Sequence, residues 1–237
     1  MTGIIIQARM SSTRFYGKVM KPLSGKEVLW HIIERCKKSK LADRVIVATS
    51  VDLSDDIIYD YCKKNTIEVF RGNLLNVLQR YYECAKTYNL DNIVRVTADC
   101  PLVDPAIIDG SIKLFLDNKV DYVSNSLERI FPRGLDCEIF SFSALGNAFN
   151  NAKNKEEKEH VTPYIIKNCS TLAYKVKSRY EGNFRLTLDE EDDYTLLKFI
   201  YKKFYKDGKI IDVAHVITFL KNNPRVANIN AHVRQKS

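Results

Sequence analysis

The chain has 237 residues, of which 45% are hydrophobic and 28% charged, with a formal net charge of +8. That length and balance suit a full core in a single folded unit and exclude a disordered or low-complexity chain. No apolar run approaches the roughly 20 residues that span a bilayer, so no membrane partner is expected.

Six cysteines (36, 62, 84, 100, 137 and 169) lack CxxC or CxH spacing, so neither a zinc site nor a disulfide framework is expected. With a strand rather than a signal core at the N-terminus, the chain is expected in the cytoplasm. The positive charge falls in lysine clusters such as Lys37-Lys38-Ser39-Lys40 and Lys202-Lys203, which suit solvated helix faces, and no nucleic-acid motif accompanies them. Nucleic acid is therefore not expected as a partner. A positive field focused in a cleft is enough to attract a small polyanion.

The chain opens on Ile4-Ile5-Ile6, which reads as a strand buried on both faces, as in a parallel sheet. The polar, basic stretch Gln7 to Lys18 follows at once. Arg9, Arg14 and Lys18 supply cations, Ser11, Ser12 and Thr13 supply hydroxyls, and Gly17 favours irregular backbone. A triphosphate would neutralise such a loop, with arginine forks pairing phosphate oxygens and lysine acting as a mobile point charge. On residue types alone, a solvated surface loop accounts for it equally well.

Downstream, apolar runs expected as strands over 3–7, 44–49, 67–70, 92–96 and 121–124 alternate with stretches expected as helices over 26–38, 55–64, 76–88 and 105–116. Right-handed crossovers then predict an α/β fold, a doubly wound, mostly parallel Rossmann-like sheet. Ligands of such sheets sit beyond the carboxyl ends of the strands, where 7–18, 49–52, Arg71 and 97–104 converge.

After Ser124 the rhythm changes and an insertion is expected at about 125–180. Residues 131–140 alternate like a half-exposed strand, 150–158 read as a loop or helix start, and 171–177 are strand-like. With no linker and no internal repeat, 1–237 is expected as one domain.

Two acid-bearing turns stand out. Asp99 appears at the carboxyl tip of a strand with Pro101 fixing the turn, a position suited to a magnesium ligand, whereas Asp104 before Pro105 suits a helix cap. Residues 184–188 read as an alternating strand that runs into five consecutive acids, Asp189 to Asp193. Read alone, the run is ambiguous: acids at a helix's first turn are favoured by its dipole, so starting a helix over 194–205 is a sufficient role for Glu190 to Asp193. Arg95 is open between a phosphate or acceptor contact and a paired structural cation, and His31 and His215 are expected to be packed or on the surface.

The loop from Gln7 to Lys18 resembles the signature loop of the cytidylyltransferases that make CMP-activated sugars, such as the CMP-Kdo and CMP-sialic acid synthetases. The likeness is closest to the spore-coat polysaccharide biosynthesis protein F subgroup and runs from the first strand to the end of the chain. Tyr16 stands where these loops usually carry proline.

The resemblance implies transfer of CMP from CTP to a sugar acid or a phosphorylated or phosphonate acceptor, with release of pyrophosphate, for surface-polysaccharide or glycoconjugate synthesis. It implies Mg2+ held by Asp99 and Asp189, and Arg9, Arg14 and Lys18 on the departing pyrophosphate. Gln7, Ala8, Thr49 and Ser50 are expected at the base. Ser11, Ser12, Arg71 and Thr97 complete the nucleotide contacts, and Arg133, Asp136, Glu138, Glu159 and His160 lie on the acceptor side. It also implies that the insertion is a β-rich arm of a homodimer. Two alternatives remain: a nucleotide-sugar glycosyltransferase of related fold, although no Asp-x-Asp lies near Asp99, and a non-catalytic basic RNA-binding or scaffold protein.

Overall fold

The computed structural model describes residues 1–175, 179–206 and 208–235. Strand β1 (Thr2–Gln7) lies within a seven-stranded sheet, and its isoleucines alternate between two cores. Ile4 and Ile6 pack on one face and Ile5 on the other, all fully buried. Each such side chain contributes roughly 1.5–3 kcal/mol by leaving water.

The next elements are a short hairpin of β2 (Pro22–Leu23) and β3 (Lys26–Glu27), then α1 (Val28–Cys36), β4 (Arg44–Ser50), α2 (Asp56–Lys64), β5 (Glu68–Gly72), α3 (Val77–Thr87) and β6 (Asn92–Thr97). Helix α1 starts two residues later than expected because Lys26 and Glu27 pair in the hairpin. Beyond β6 come α4 (Pro105–Asp117), β7 (Tyr122–Ser124) and β8 (Glu138–Ser141). Asp104 caps α4 by accepting from the Ala106 N–H, with Pro105 in the first turn, as the sequence predicts.

The sheet order is β5-β4-β1-β6-β8-β7-β9, where β9 is Thr171–Ala173. Only β8 runs antiparallel to its neighbours β6 and β7. From β1 the chain winds outward through β4 and β5, then returns to place β6 on the other side of β1. The crevice beyond the carboxyl ends of β1 and β6 is thus the point where strand order reverses, the favoured ligand site of such sheets.

The insertion departs from the expected β-rich arm. Between β8 and β9 lie three helices, α5 (Phe142–Asn151), α6 (Lys155–His160) and α7 (Pro163–Asn168), and both strands join the central sheet. The alternating run 131–140 becomes a strand only from Glu138, since Phe131, Leu135 and Cys137 turn inward to the core from irregular backbone. Of the strand-like stretch 171–177, β9 covers the first three residues, and 176 and 177 lie outside the described residues.

Residues 184–188 form no regular strand. Their backbone meets 131–135 through a single bridge, Arg133 with Arg185. The close approach needs Gly134, whose φ is +95° and where a Cβ would stand 2.4 Å from the Leu186 carbonyl carbon. The acid run then opens α8 (Glu191–Phe204), three residues earlier than predicted, by a reciprocal cap between Glu190 and Asp193. Helices α9 (Val213–Asn222) and α10 (Pro224–Ala227) close the fold. Among the described residues, no helix is long and apolar enough to cross a membrane.

Candidate active site

The loop after β1 is held open by backbone and carboxylate contacts. The Gly17 N–H donates to the Met10 carbonyl, and Gly17 itself takes a left-handed φ of 67° that starts a single 3-10 turn, Lys18–Met20. Asp55, fully buried, accepts from the Met10 N–H at 2.7 Å and from the Ser50 hydroxyl at 2.5 Å, fastening this loop to the end of β4. Sequence reasoning missed Asp55, because Met10, the partner that makes it a fastener of this loop, lies 45 positions away in the chain. Tyr16 stands 63% exposed at the place of the usual proline.

Lys18 turns inward and is 9% exposed. Its ammonium donates to Asp99 Oδ2 at 3.0 Å, to Asp189 Oδ1 at 2.9 Å and to the Leu188 carbonyl at 2.7 Å. Asp99 and Asp189 are thereby brought together from the turn after β6 and the stretch before α8. Backbone bonding secures them, since the Leu188 N–H donates to the Asp99 carbonyl at 2.8 Å.

Burial opposes the charge on Asp99, but Lys18 and the Thr97 hydroxyl, 2.5 Å from its Oδ1, outweigh it and hold the carboxyl down to about 2. Burial likewise opposes the Lys18 charge, and the two aspartates overcome it and raise its pKa.

Asp189 is surrounded by cations: Lys18, Arg14 at 3.2 Å and Arg185 at 2.8 Å. Arg14 also pairs with Glu190 at 3.0 Å. Arg185 is oriented by Asp193, fully buried, whose carboxylate also accepts from the Asp189 and Glu190 N–H groups. Asp193 thus has two roles, capping the start of α8 and steering the arginine that touches Asp189.

Of these groups Arg14, Lys18, Asp99 and Asp189 line a cleft of about 620 Å³, together with Gln7, Arg9, Ser12 and Thr97. The lining also includes Arg133, Asp136, Glu159 and His160, with Arg9 3.8 Å from Glu159. Most of the predicted residues thus converge on one cavity.

Several do not. Thr49 and Ser50 are fully buried and outside the cleft lining, and the Ser50 hydroxyl donates to Asp55. Ala8 is 1% exposed, its N–H bonded to the Ala48 carbonyl, and Ser11 is not part of the lining. Arg71 donates to the Ser50 and Asp52 carbonyls and pairs with Asp56 at 2.7 Å, tying down the loop after β4 rather than facing the cleft.

Glu138, expected at the acceptor, is 8% exposed and serves Arg95, the Tyr122 hydroxyl and the Thr162 hydroxyl. Antiparallel pairing of β8 with β6 sets Glu138 opposite Arg95, and Arg95 is the member that reaches the cleft. A buried arginine that sequence reasoning passed over, Arg80, donates to the Asn73 carbonyl and has two guanidinium nitrogens without a hydrogen-bond partner among the described residues.

Two carboxylates with open space beside them make a hard-oxygen donor set of the kind magnesium uses, where phosphate and water supply the remaining ligands. Among the described residues no group of three or more His, Cys, Asp or Glu is placed to form a closed metal cage. Asp99 and Asp189 therefore fit a shared, phosphate-completed ion, provided that Lys18 gives up its present oxygens.

A family model described as cytidylyltransferase matches residues 3–224. A protein of Methanocaldococcus jannaschii described as uncharacterized is 41% identical over 98% of this chain and 96% of its own length. The spore coat polysaccharide biosynthesis protein SpsF of Bacillus subtilis is 34% identical over 94% of this chain and 95% of its own. A solved cytidylyltransferase structure from Leptospira borgpetersenii is 36% identical, superposes with a TM-score of 0.89, and covers 100% of this chain and 98% of that one.

Proposed function

The chain belongs to the cytidylyltransferase family and is a nucleotidyltransferase; from that premise we propose that it moves CMP from CTP to a small anionic acceptor of surface-polysaccharide synthesis. The acceptor class is a sugar acid or a phosphorylated or phosphonate compound, and pyrophosphate is the second product. The observation that carries the reading is the cleft at the β1–β6 crevice, where Arg14 pairs with Asp189 and Lys18 with Asp99 and Asp189, and whose lining also includes Arg133, Asp136, Glu159 and His160.

The reaction joins two anions, so charge placement supplies much of the catalysis. An acceptor oxygen attacks the α-phosphorus, the bond to the bridging oxygen of the β-phosphate breaks, and its electron pair leaves with pyrophosphate. Arg14 and Lys18 now rest on carboxylates, and a triphosphate entering the cleft offers them stronger anionic partners. Their transfer to the phosphates puts cationic donors on the leaving group and frees oxygens of Asp99 and Asp189. Those two residues would hold Mg2+, which supplies neutralisation of phosphate charge when bound.

Asp99, ionised down to about 2, is ready for that role at any physiological pH. A phosphate or phosphonate acceptor arrives as an oxyanion, whereas a hydroxyl acceptor must give up a proton.

The test is pyrophosphate release from each of the four ribonucleoside triphosphates with Mg2+, against a panel of sugar acids and phosphorylated acceptors. Release that needs CTP, one acceptor and both aspartates, and is lost in Asp99→Ala and Asp189→Ala, supports the reading. Failure of the protein to bind CTP in the presence of magnesium would sink it.

A further inference from the structure

A second cavity, of about 200 Å³, lies between α1, α8 and residues 208–211, and shares no lining residue with the cleft. Its wall is aromatic. The His31 ring meets Trp30, Tyr201 and Tyr205 edge-on, with centroids 5.1, 4.4 and 5.0 Å away. The His31 Nε2 lies 2.8 Å from the Leu23 carbonyl, and burial lowers its pKa, so the ring adds to the wall as a neutral face. The rim is cationic: Lys26, Lys38 and Lys209 are exposed there, against Glu34 as the one carboxylate among the described lining residues.

The cavity floor is tied to the turn that carries Asp99. The Tyr201 hydroxyl donates to the Pro101 carbonyl at 2.6 Å. Arg35, 2% exposed, donates from Nε to the Val103 carbonyl at 2.5 Å and from Nη1 to the Ile211 carbonyl at 2.8 Å. A ring pressed against Tyr201 and Arg35 therefore bears on both carbonyls flanking Leu102. The same two side chains cannot shift without moving the backbone between Asp99 and α4.

We propose that this cavity is a second binding site, for a small monocyclic aromatic anion, and that its occupancy is felt at the Asp99 turn through Tyr201 and Arg35. The aromatic wall selects the ring, the lysine rim selects the negative group, and the volume admits one ring with one small charged substituent. A triphosphate is too large for it, which separates this site from the cleft.

Phenyl phosphate is the probe, with inorganic phosphate and benzyl alcohol as arms that carry only the charge or only the ring. Titration calorimetry on the full chain is expected to show phenyl phosphate binding with a dissociation constant on the order of 1 mM or below, the range for a ligand of this size. Each single-feature arm should bind at least about fivefold more weakly.

Lys38→Glu combined with Lys209→Glu, both exposed and outside the core, should weaken phenyl phosphate by at least about fivefold. Arg14→Ala, in the cleft, should leave it unchanged. Amide chemical shifts of residues 99–104 should move on titration of the wild-type chain. Absence of binding up to about 10 mM, insensitivity to the lysine reversals, or loss of binding in Arg14→Ala would each overturn the proposal. Binding with no shift in 99–104 would overturn the coupling.

Discussion

The ammonium of Lys18 stands between two carboxylates ninety positions apart in the chain, 3.0 Å from Asp99 and 2.9 Å from Asp189. Neither acid can be brought close to the other without a cation, since two like charges at that range repel strongly in a partly buried site. Lys18 is thus the assembly point of the cleft as well as a candidate phosphate ligand.

Replacing Lys18 with Met tests both roles. Turnover should fall by about 10²- to 10³-fold, the usual loss when one preorganised charge-stabilising donor is removed. The fold should lose about 1–3 kcal/mol, because two carboxylates are left to repel without their shared partner. Added Mg2+ should then raise the melting temperature of Lys18→Met by more than it raises that of wild type. An equal or smaller rise would place the ion elsewhere.

The Asp99 contact has a definite pH signature. Its folded pKa lies near 2, below the about 3.9 of an unfolded chain. A depressed carboxylate contributes stability above its unfolded pKa and loses it as pH falls through the folded value. Stability from this contact should therefore be complete above about pH 5 and decline from about pH 4 to pH 2. Urea denaturation across that window should show the decline in wild type and a smaller one in Asp99→Asn.

Glu138 anchors Arg95 from behind the cleft. Truncation in Glu138→Ala leaves a buried guanidinium and the hydroxyls of Tyr122 and Thr162 without their acceptor, and should cost about 3 kcal/mol or more. Glu138→Gln keeps an acceptor oxygen and should cost less. Chemical denaturation of both variants measures the difference, and an undisturbed fold in Glu138→Ala would return this residue to the acceptor side.

Gly134 lets residues 131–135 lie against the stretch that leads to Asp189. An added methyl would meet the Leu186 carbonyl carbon at 2.4 Å and the Thr187 nitrogen at 2.6 Å, both backbone atoms, at a φ of +95°. Gly134→Ala should destabilise by about 2 kcal/mol or more. It should also lower turnover, because the displaced backbone carries Asp189. Unchanged stability with unchanged turnover would show that the contact relaxes freely.

Much of this protein was legible in local pattern. Ile4-Ile5-Ile6 could only be satisfied by burial on both faces, and the alternation of apolar runs with amphipathic stretches determined the parallel sheet and most element boundaries to within a few residues. Arg9, Arg14, Lys18 and Asp99 stood out as candidates because strand ends and charged loops are read from neighbouring residues, and the family resemblance separated the loop from a solvated surface one.

The tertiary structure decided what depends on partners distant in sequence. Glu138 reads as a polar group near an acceptor until antiparallel pairing sets it opposite Arg95, and Thr49 and Ser50 read as accessible hydroxyls until the fold buries both and gives the Ser50 hydroxyl to Asp55. The family resemblance implied a β-rich arm and only 131–140 alternated like a strand, yet the insertion folds largely as helices and its strands join the central sheet, because strand pairing and core volume are shared across the whole fold. Charge and burial belong to the assembled neighbourhood of a side chain, and only folding creates that neighbourhood.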